Sequence, residues 1–406
     1  MISPVETWVA EKTGLKENLN AETMQCWQQK KLQELLEYVS IRSGYYKGRI
    51  NCGMQLTEIP FTTPSDLVRD PLSFLCIPQH EVARVTTLSN SGTTRERKRI
   101  FFSKKDLQNT KDFFAAGMKI MTNRGDHACI LISNRTENSL GSLLRESLMQ
   151  IGVTAHIPGI IKSAADAIAT ARNADCIIGM PAELLYMSRI DQSLRPKSVL
   201  LAADIAPQVV INSIRETWRC EVYTHYGHTE FGYGCAVDCT SHNGLHLRHA
   251  DNIFEVINPA TLLPVLHWQT GEIVITTLAN EAMPLIRYRT GQLTHLNNSP
   301  CKCGSTLPRF EKIIGRLYDI IILSNGASIN IHTLDELLFL NPNVKSYKPT
   351  FIKENNAEKL HLLVDSVGKI DTHKLAANLP KCLSLGITYG SYDPFTNRGK
   401  RRLHSA

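Results

Sequence analysis

Tyr226, Gly227, Thr229 and Glu230 stand within five residues, after a basic and apolar run, 219–223, that reads as a short strand. An aromatic face, a glycine, a hydroxyl and a carboxylate at this spacing have complementary uses. They can stack a flat base, let a ligand approach bare backbone, hydrogen-bond a phosphoryl oxygen and hold a hard cation. An ordinary strand-end loop would have the same composition, so the weight falls on what accompanies it. Ser89, Ser91, Gly92, Thr93 and Thr94 form a second group, with Lys98 close behind. Hydroxyls on both sides of a glycine, followed by cations, have the composition of a phosphate cradle. The spacing is not that of a Walker loop, and a polar hairpin is the plain alternative. The third group is Cys239, His246, Cys301 and Cys303, with Cys235 and His242 nearby. Three thiolates and an imidazole can close a tetrahedral Zn²⁺ site, and four protein ligands leave no position open for catalysis. Free buried thiols are the competing reading.

The elements that must position these groups follow from pattern. With 406 residues the chain is too long for one core. Apolar strands at 128–133, 153–157, 176–179 and 198–203 alternate with helices at 106–124, 138–150, 164–173 and 181–189. That alternation predicts parallel βαβ units covered on both faces, with ligands at the carboxyl ends of strands. The loop at 89–98, the corner at Asp204 and the Tyr226 loop each follow a strand, and this arrangement lets them share one crevice. Helix 106–124 expects its cap near Ser103, and an earlier helix starts near residue 21 and ends at Ser43-Gly44. Ser65 or Asp66 is placed to cap the helix between them. From about 240 to 315 the strands shorten and alternate, which indicates an antiparallel β-subdomain. Residues 319–406 read as a small α+β unit, with strands near 350–353 and 359–364 and helices near 333–339 and 372–380. The fold class is therefore α/β, with domains at 1–318 and 319–406.

Lys and Arg number 45 against 38 Asp and Glu, a net charge of +7. That suits polyanions such as nucleotides or coenzyme A as well as nucleic acid, and the cluster at 398–402 supplies much of the excess. No run of eighteen apolar residues appears, and the first residues lack the charged and apolar regions of an export signal. Eleven cysteines without such a signal suggest reduced thiols in the cytoplasm.

In this order the motifs resemble those of the adenylate-forming enzymes, in their phenylacetate–coenzyme A ligase-like branch. Ser89-Asn-Ser-Gly-Thr-Thr is similar to the family's phosphate loop, and Tyr226-Gly-His-Thr-Glu230 to its Tyr-Gly-x-Thr-Glu signature. Ala282-Met-Pro-Leu-Ile-Arg-Tyr-Arg-Thr-Gly291 is close to a signature of the branch, and Gly315-Arg-x-x-Asp319 resembles the hinge between domains. Cys239, Asn243-Gly-Leu-His246 and the Cys301-Lys-Cys-Gly304 knuckle look like its zinc region, and Arg398-Gly-Lys400 its C-terminal lysine motif. The likeness runs from about residue 30 to the end. It implies that a carboxylate attacks the α-phosphorus of ATP and that a thiol, usually of coenzyme A, then displaces AMP. By position, Glu230 would hold Mg²⁺, Thr229 the α-phosphate and Tyr226 the adenine, with Asp204 at the adenine edge. Gln292 would meet the ribose and Arg316 the ribose or phosphate. Lys400 would act in adenylation, with Asp319 as pivot. Phe113, Phe114, Asn138, Gly141, Gly179 and Pro181 are the pocket candidates for a small aryl or short acyl acid. The branch's pattern leaves room for a homodimer.

Two positions depart from the pattern. Gln292 stands where the family has an aspartate that accepts from both ribose hydroxyls, and Arg95 stands where glycine is expected. They keep open a catalytically weak scaffold subunit beside the enzyme, and an acyl carrier protein remains open as acceptor. A zinc-bearing nucleic-acid binder would account for the cysteines and the basic tail but for none of the Thr/Gly/Glu loops. No membrane or nucleic-acid partner is expected.

Overall fold

Helix starts along the chain are set by local hydrogen bonds. Asn20 accepts from the Thr23 backbone and opens the Ala21–Arg42 helix, whose Leu32, Leu35, Leu36 and Val39 form its buried stripe. Ser103 and Asp106 make a reciprocal capping box at the Lys104–Met118 helix. At Pro64–Arg69 the cap is Thr63, with Asp66 reaching back to the Thr63 backbone. The expected cap at Ser65 or Asp66 thus moves to Thr63, because proline favours the first helical position and needs the cap just before it.

The computed structural model describes residues 3–89, 97–132, 136–354 and 357–405. It divides into two compact units, one of Met1–Ile120, Arg135–Ile151 and His225–Ile313, the other of Met121–Asn134, Gly152–Thr224 and Ile314–Ala406.

In the first unit the Lys104–Met118 and Leu140–Gln150 helices pack together. Strands Arg84–Ser89 and Arg97–Phe102 pair antiparallel with each other, Arg84 opposite Phe102. These two strands form a sheet of their own, outside the parallel one, so the strand before the Ser/Thr/Gly group is not one of the parallel strands. An antiparallel series follows in the order Asn252–Ile257, Gly271–Thr277, Tyr288–Asn297, Arg309–Arg316, Leu245–Leu247 and Ala236–Val237. This is the expected β-subdomain. The Pro4–Thr13 helix closes one side through Val9, which packs with Met24, Ala250 and Leu307.

In the second unit five strands run parallel in the order Glu221–Tyr226, Ser198–Leu201, Cys176–Gly179, His127–Ile130 and Thr154–His156. Cys176–Gly179 and Ser198–Leu201 are buried throughout, as strands covered on both faces must be. Residues 314–406 carry a second sheet in which Val344–Glu354 and Ala357–Ser366 pair antiparallel and Leu383–Tyr389 adds in parallel. Leu334, Leu338, Tyr347 and Leu360 from this part share one apolar cluster with Leu184, Ile214 and Trp218. The segment expected as a small domain at 319–406 thus lies in a unit that also holds the parallel strands. Among the described residues no helix is long and apolar enough to cross a membrane.

Candidate active site and metal centre

The Tyr226 loop turns on Gly227. A Cβ placed there would lie 1.6 Å from the Tyr233 carbonyl oxygen, so only glycine fits. The close approach is made by the loop's own backbone, which returns as a short turn at Thr229–Phe231 and brings Tyr233 N–H to His228 O at 2.8 Å. This fold-back drives Glu230 inward until it is 2 % exposed.

Glu230 meets three partners. Lys98 Nζ lies 2.6 Å from Oε1, Tyr288 Oη donates to the same oxygen at 3.1 Å, and His228 Nδ1 is 3.1 Å from Oε2. Burial alone would push the carboxyl up, but the charges of His228 and Lys98 outweigh it and hold the group well below the usual carboxylate range. Glu230 is thus a fixed anion with a cation already against it. Lys98, expected to face phosphate, faces this carboxylate here. Tyr226 is 3 % exposed, with its ring edge-on to Phe310 at 5.8 Å. Thr229 is half-buried at the start of the turn.

Gln292 lies on the Tyr288–Asn297 strand, 4 % exposed, and its Oε1 has no hydrogen-bond partner among the described residues. A buried amide oxygen without a donor is costly. The position suits a hydrogen-bond donor. Phe113 is a packing residue, edge-on to Trp8 at 5.5 Å with the Arg248 guanidinium 5.2 Å over its ring. Phe114 lies over Gly234, where a Cβ would come within 2.7 Å of its ring. Asn138 adopts φ 54°, just ahead of the helix that contains Gly141. Ser91, Gly92, Thr93, Thr94 and Arg95 lie outside the described residues, as does the side chain of Ser89.

The remaining candidates belong to the second unit. Asp204 accepts from Ile205 N–H at 3.0 Å and from Arg401 N–H at 2.9 Å, and Arg316 Nη2 is 3.7 Å away. Arg316 also reaches Asp319 at 3.2 Å. Arg316, Asp319 and the Asp204 corner are therefore one charged group, a connection that no local pattern reveals. Gly179 ends its strand and Pro181 opens the next helix. Lys400 is exposed.

The sulfur and nitrogen atoms of Cys239, His246, Cys301 and Cys303 lie within 4.8 Å of one another. Cys239 and Cys301 sulfurs are 3.7 Å apart, and Cys303 Sγ is 3.4 Å from His246 Nε2. A tetrahedral zinc with Zn–S of about 2.3 Å and Zn–N of about 2.0 Å has S···S edges of about 3.8 Å and S···N edges of about 3.5 Å. The fit is close, and the sulfurs are too far apart for a disulfide. Burial pushes the Cys239 thiol up to about 12 and His246 down to about 4, so without a cation both are neutral. The knuckle is closed by Cys301 N–H to Ser305 O at 2.8 Å and Gly304 N–H to Cys301 O at 2.9 Å, with Gly304 at φ 93°. Buried Arg309 fastens both loops by donating to the Asn243 and Ser299 carbonyls. Cys235 and His242 stand outside the cluster, and His242 pairs with Asp238 at 2.7 Å.

No family profile matches the chain. Over 379 residues it is 26 % identical to the phenylacetate–coenzyme A ligase of Thermus thermophilus, covering 86 % of this chain and 83 % of that enzyme. The enzyme of the same name from Pseudomonas putida is 24 % identical over 79 % of this chain and 75 % of its own. A crystal structure of 2-hydroxyisobutyryl-CoA ligase, in the postadenylation state with R3-HIB-AMP, superposes with a TM-score of 0.82 at 18 % identity. That match covers 96 % of this chain and 91 % of the other. The chain thus has the fold of that ligase and is similar in sequence to phenylacetate–coenzyme A ligases over most of its length.

Proposed function

We propose that the protein is an ATP-dependent carboxylate–coenzyme A ligase that activates a small aryl or short acyl acid as its acyl-AMP. The observation that carries the reading is the likeness to phenylacetate–coenzyme A ligase over most of both chains. A carboxylate oxygen bonds to the α-phosphorus of ATP while the bond to pyrophosphate breaks. The coenzyme A sulfur then bonds to the acyl carbon, AMP leaves, and the thiol proton passes to solvent. The first step brings two anions together, so neutralising charge dominates its barrier.

On this reading Lys98 exchanges Glu230 for phosphate oxygens when the triphosphate enters, and Glu230 is the residue that would hold Mg²⁺. The metal would supply charge neutralisation at the phosphates. Thr229 donates to the α-phosphate, and Ser89, Ser91, Gly92, Thr93 and Thr94 hold the outer phosphates. Tyr226 flanks the adenine with Asp204 at its edge, Gln292 accepts from the ribose, and Arg316 contacts ribose or phosphate. Phe114, Asn138, Gly141, Gly179 and Pro181 line the acid pocket, with Phe113 supporting Phe114. Lys400, carried by residues 319–406 on the Asp319 hinge, serves adenylation and withdraws for thioester formation. Cys239, His246, Cys301 and Cys303 would hold Zn²⁺ as a structural cross-link of the β-subdomain.

A screen of carboxylic acids for pyrophosphate release, with and without coenzyme A, tests the reading. The expected result is release with an aryl or short acyl acid and a thioester product only when coenzyme A is present. Release that ignores coenzyme A points to a carrier protein as acceptor. Silence with every acid would favour the scaffold subunit, which the departures at Gln292 and Arg95 keep in view.

A further inference from the structure

Lys400 sits on a stretch without helix or strand, residues 390–403. Its shape is therefore set by side-chain ties, and these lie on both flanks of the lysine. Upstream, Phe395 is buried at 3 % exposure, and Arg398 stacks over it at 5.2 Å. Arg398 Nε reaches Oε1 of Glu183 at 3.2 Å. Downstream, Arg401 gives its backbone N–H to Asp204. Its guanidinium grips Asp335 Oδ1 at 2.7 Å, donates to the Tyr347 carbonyl at 3.1 Å and lies 4.4 Å over the Tyr347 ring.

Glu183 is the telling member. It is 3 % exposed, and its Oε2 has no partner among the described residues. A buried carboxylate satisfied on one side only lowers stability, so stability does not account for it. The apolar Phe395 fixes where the stretch begins, while the ties nearest Lys400 are ionic.

We infer that Glu183, acting through Arg398, and Asp335 with Asp204, acting through Arg401, are positioning residues that clasp the backbone on either side of Lys400 and register it for the adenylation step. The inference rests on the adenylation role proposed for Lys400. Holding the backbone removes the loop's freedom before reaction, which is where an orienting contact lowers a barrier.

The test separates the two half-reactions. Glu183→Gln is expected to lower kcat for ATP–pyrophosphate exchange by about ten-fold or more. KM for ATP stays as in the wild type, and coenzyme A-dependent consumption of supplied acyl-AMP changes by less than about two-fold. Its thermal midpoint does not fall. Arg398→Lys retains more exchange than Arg398→Ala. Wild-type exchange in Glu183→Gln, or equal losses in both half-reactions, overturns the clasp. If the wild-type protein exchanges pyrophosphate with no acid, the ligase reading fails instead. Hydrogen exchange at residues 396–403 then still rules on the clasp, since Glu183→Gln must speed it, and unchanged protection overturns the inference.

Discussion

Two buried side chains carry the sharpest expectations at the residue scale. Gln292 presents an amide oxygen with no donor, where an aspartate would accept charge-assisted bonds from a ribose. Gln292→Asp should tighten ATP binding by about ten-fold, from a gain of about 1–2 kcal/mol. Titration calorimetry checks this, and an unchanged affinity would place the ribose elsewhere. Glu183 is raised to about 7, by burial first and by Asp393, with Arg398 opposing. An unfolded glutamate titrates near 4.5, so between about pH 4.5 and 7 the folded chain holds a proton that the unfolded chain has lost. Stability should therefore fall as pH rises through that window, by up to about 3 kcal/mol from this group. Glu183→Gln should flatten the dependence, as urea melts at pH 5 and 8 can read.

Among the elements, the Tyr226 loop and the cysteine knuckle depend on different constraints. Gly227→Ala must move the Tyr233 carbonyl, and a loss of about 3 kcal/mol or more in a chemical melt is expected, with pyrophosphate exchange lost as well. Removing zinc with a chelator, or Cys301→Ser, should lower the thermal midpoint while adenylation of the still-folded fraction persists. An inactive protein with an unshifted midpoint would contradict a structural metal. The parallel strands and their helices were legible because apolar runs alternated with amphipathic ones. Two helices were not. Pro4–Thr13 has almost no apolar stripe to read, whereas Gln208–Trp218 was overlooked although its buried Val210, Ile214 and Trp218 fall four residues apart, as on one helix face. The strand Leu383–Tyr389 is interrupted by Gly386 and only partly buried, so it carried little pattern. Why position 227 must be glycine could not be read locally, because the obstructing carbonyl belongs to a residue six places on. The cysteine cluster was legible by type, whereas the Arg309 ties that close it were not.

For the whole molecule, the central expectation concerns the two half-reactions. Lys400→Ala should reduce adenylation by about 10²-fold or more while sparing thioester formation from supplied acyl-AMP. Equal losses, measured by pyrophosphate exchange and thioester assay, would remove the proposed domain swing. Little in the sequence announced how residues 314–406 would pack. Their apolar positions, Leu334 and Leu338 among them, read as the core of a small unit, and only in three dimensions do they join Leu184 and Trp218.

The lysine ammonium against Glu230 has a bearing on how the metal arrives. A carboxylate already neutralised from within has little appetite for free Mg²⁺ in bulk water. On the proposed function, Lys98 would leave Glu230 for the phosphates of an incoming triphosphate, and Glu230 would then be free to hold the Mg²⁺ that the nucleotide carries. Titrating the nucleotide-free protein with magnesium chloride alone should give no saturable heat, and adding ATP should restore one.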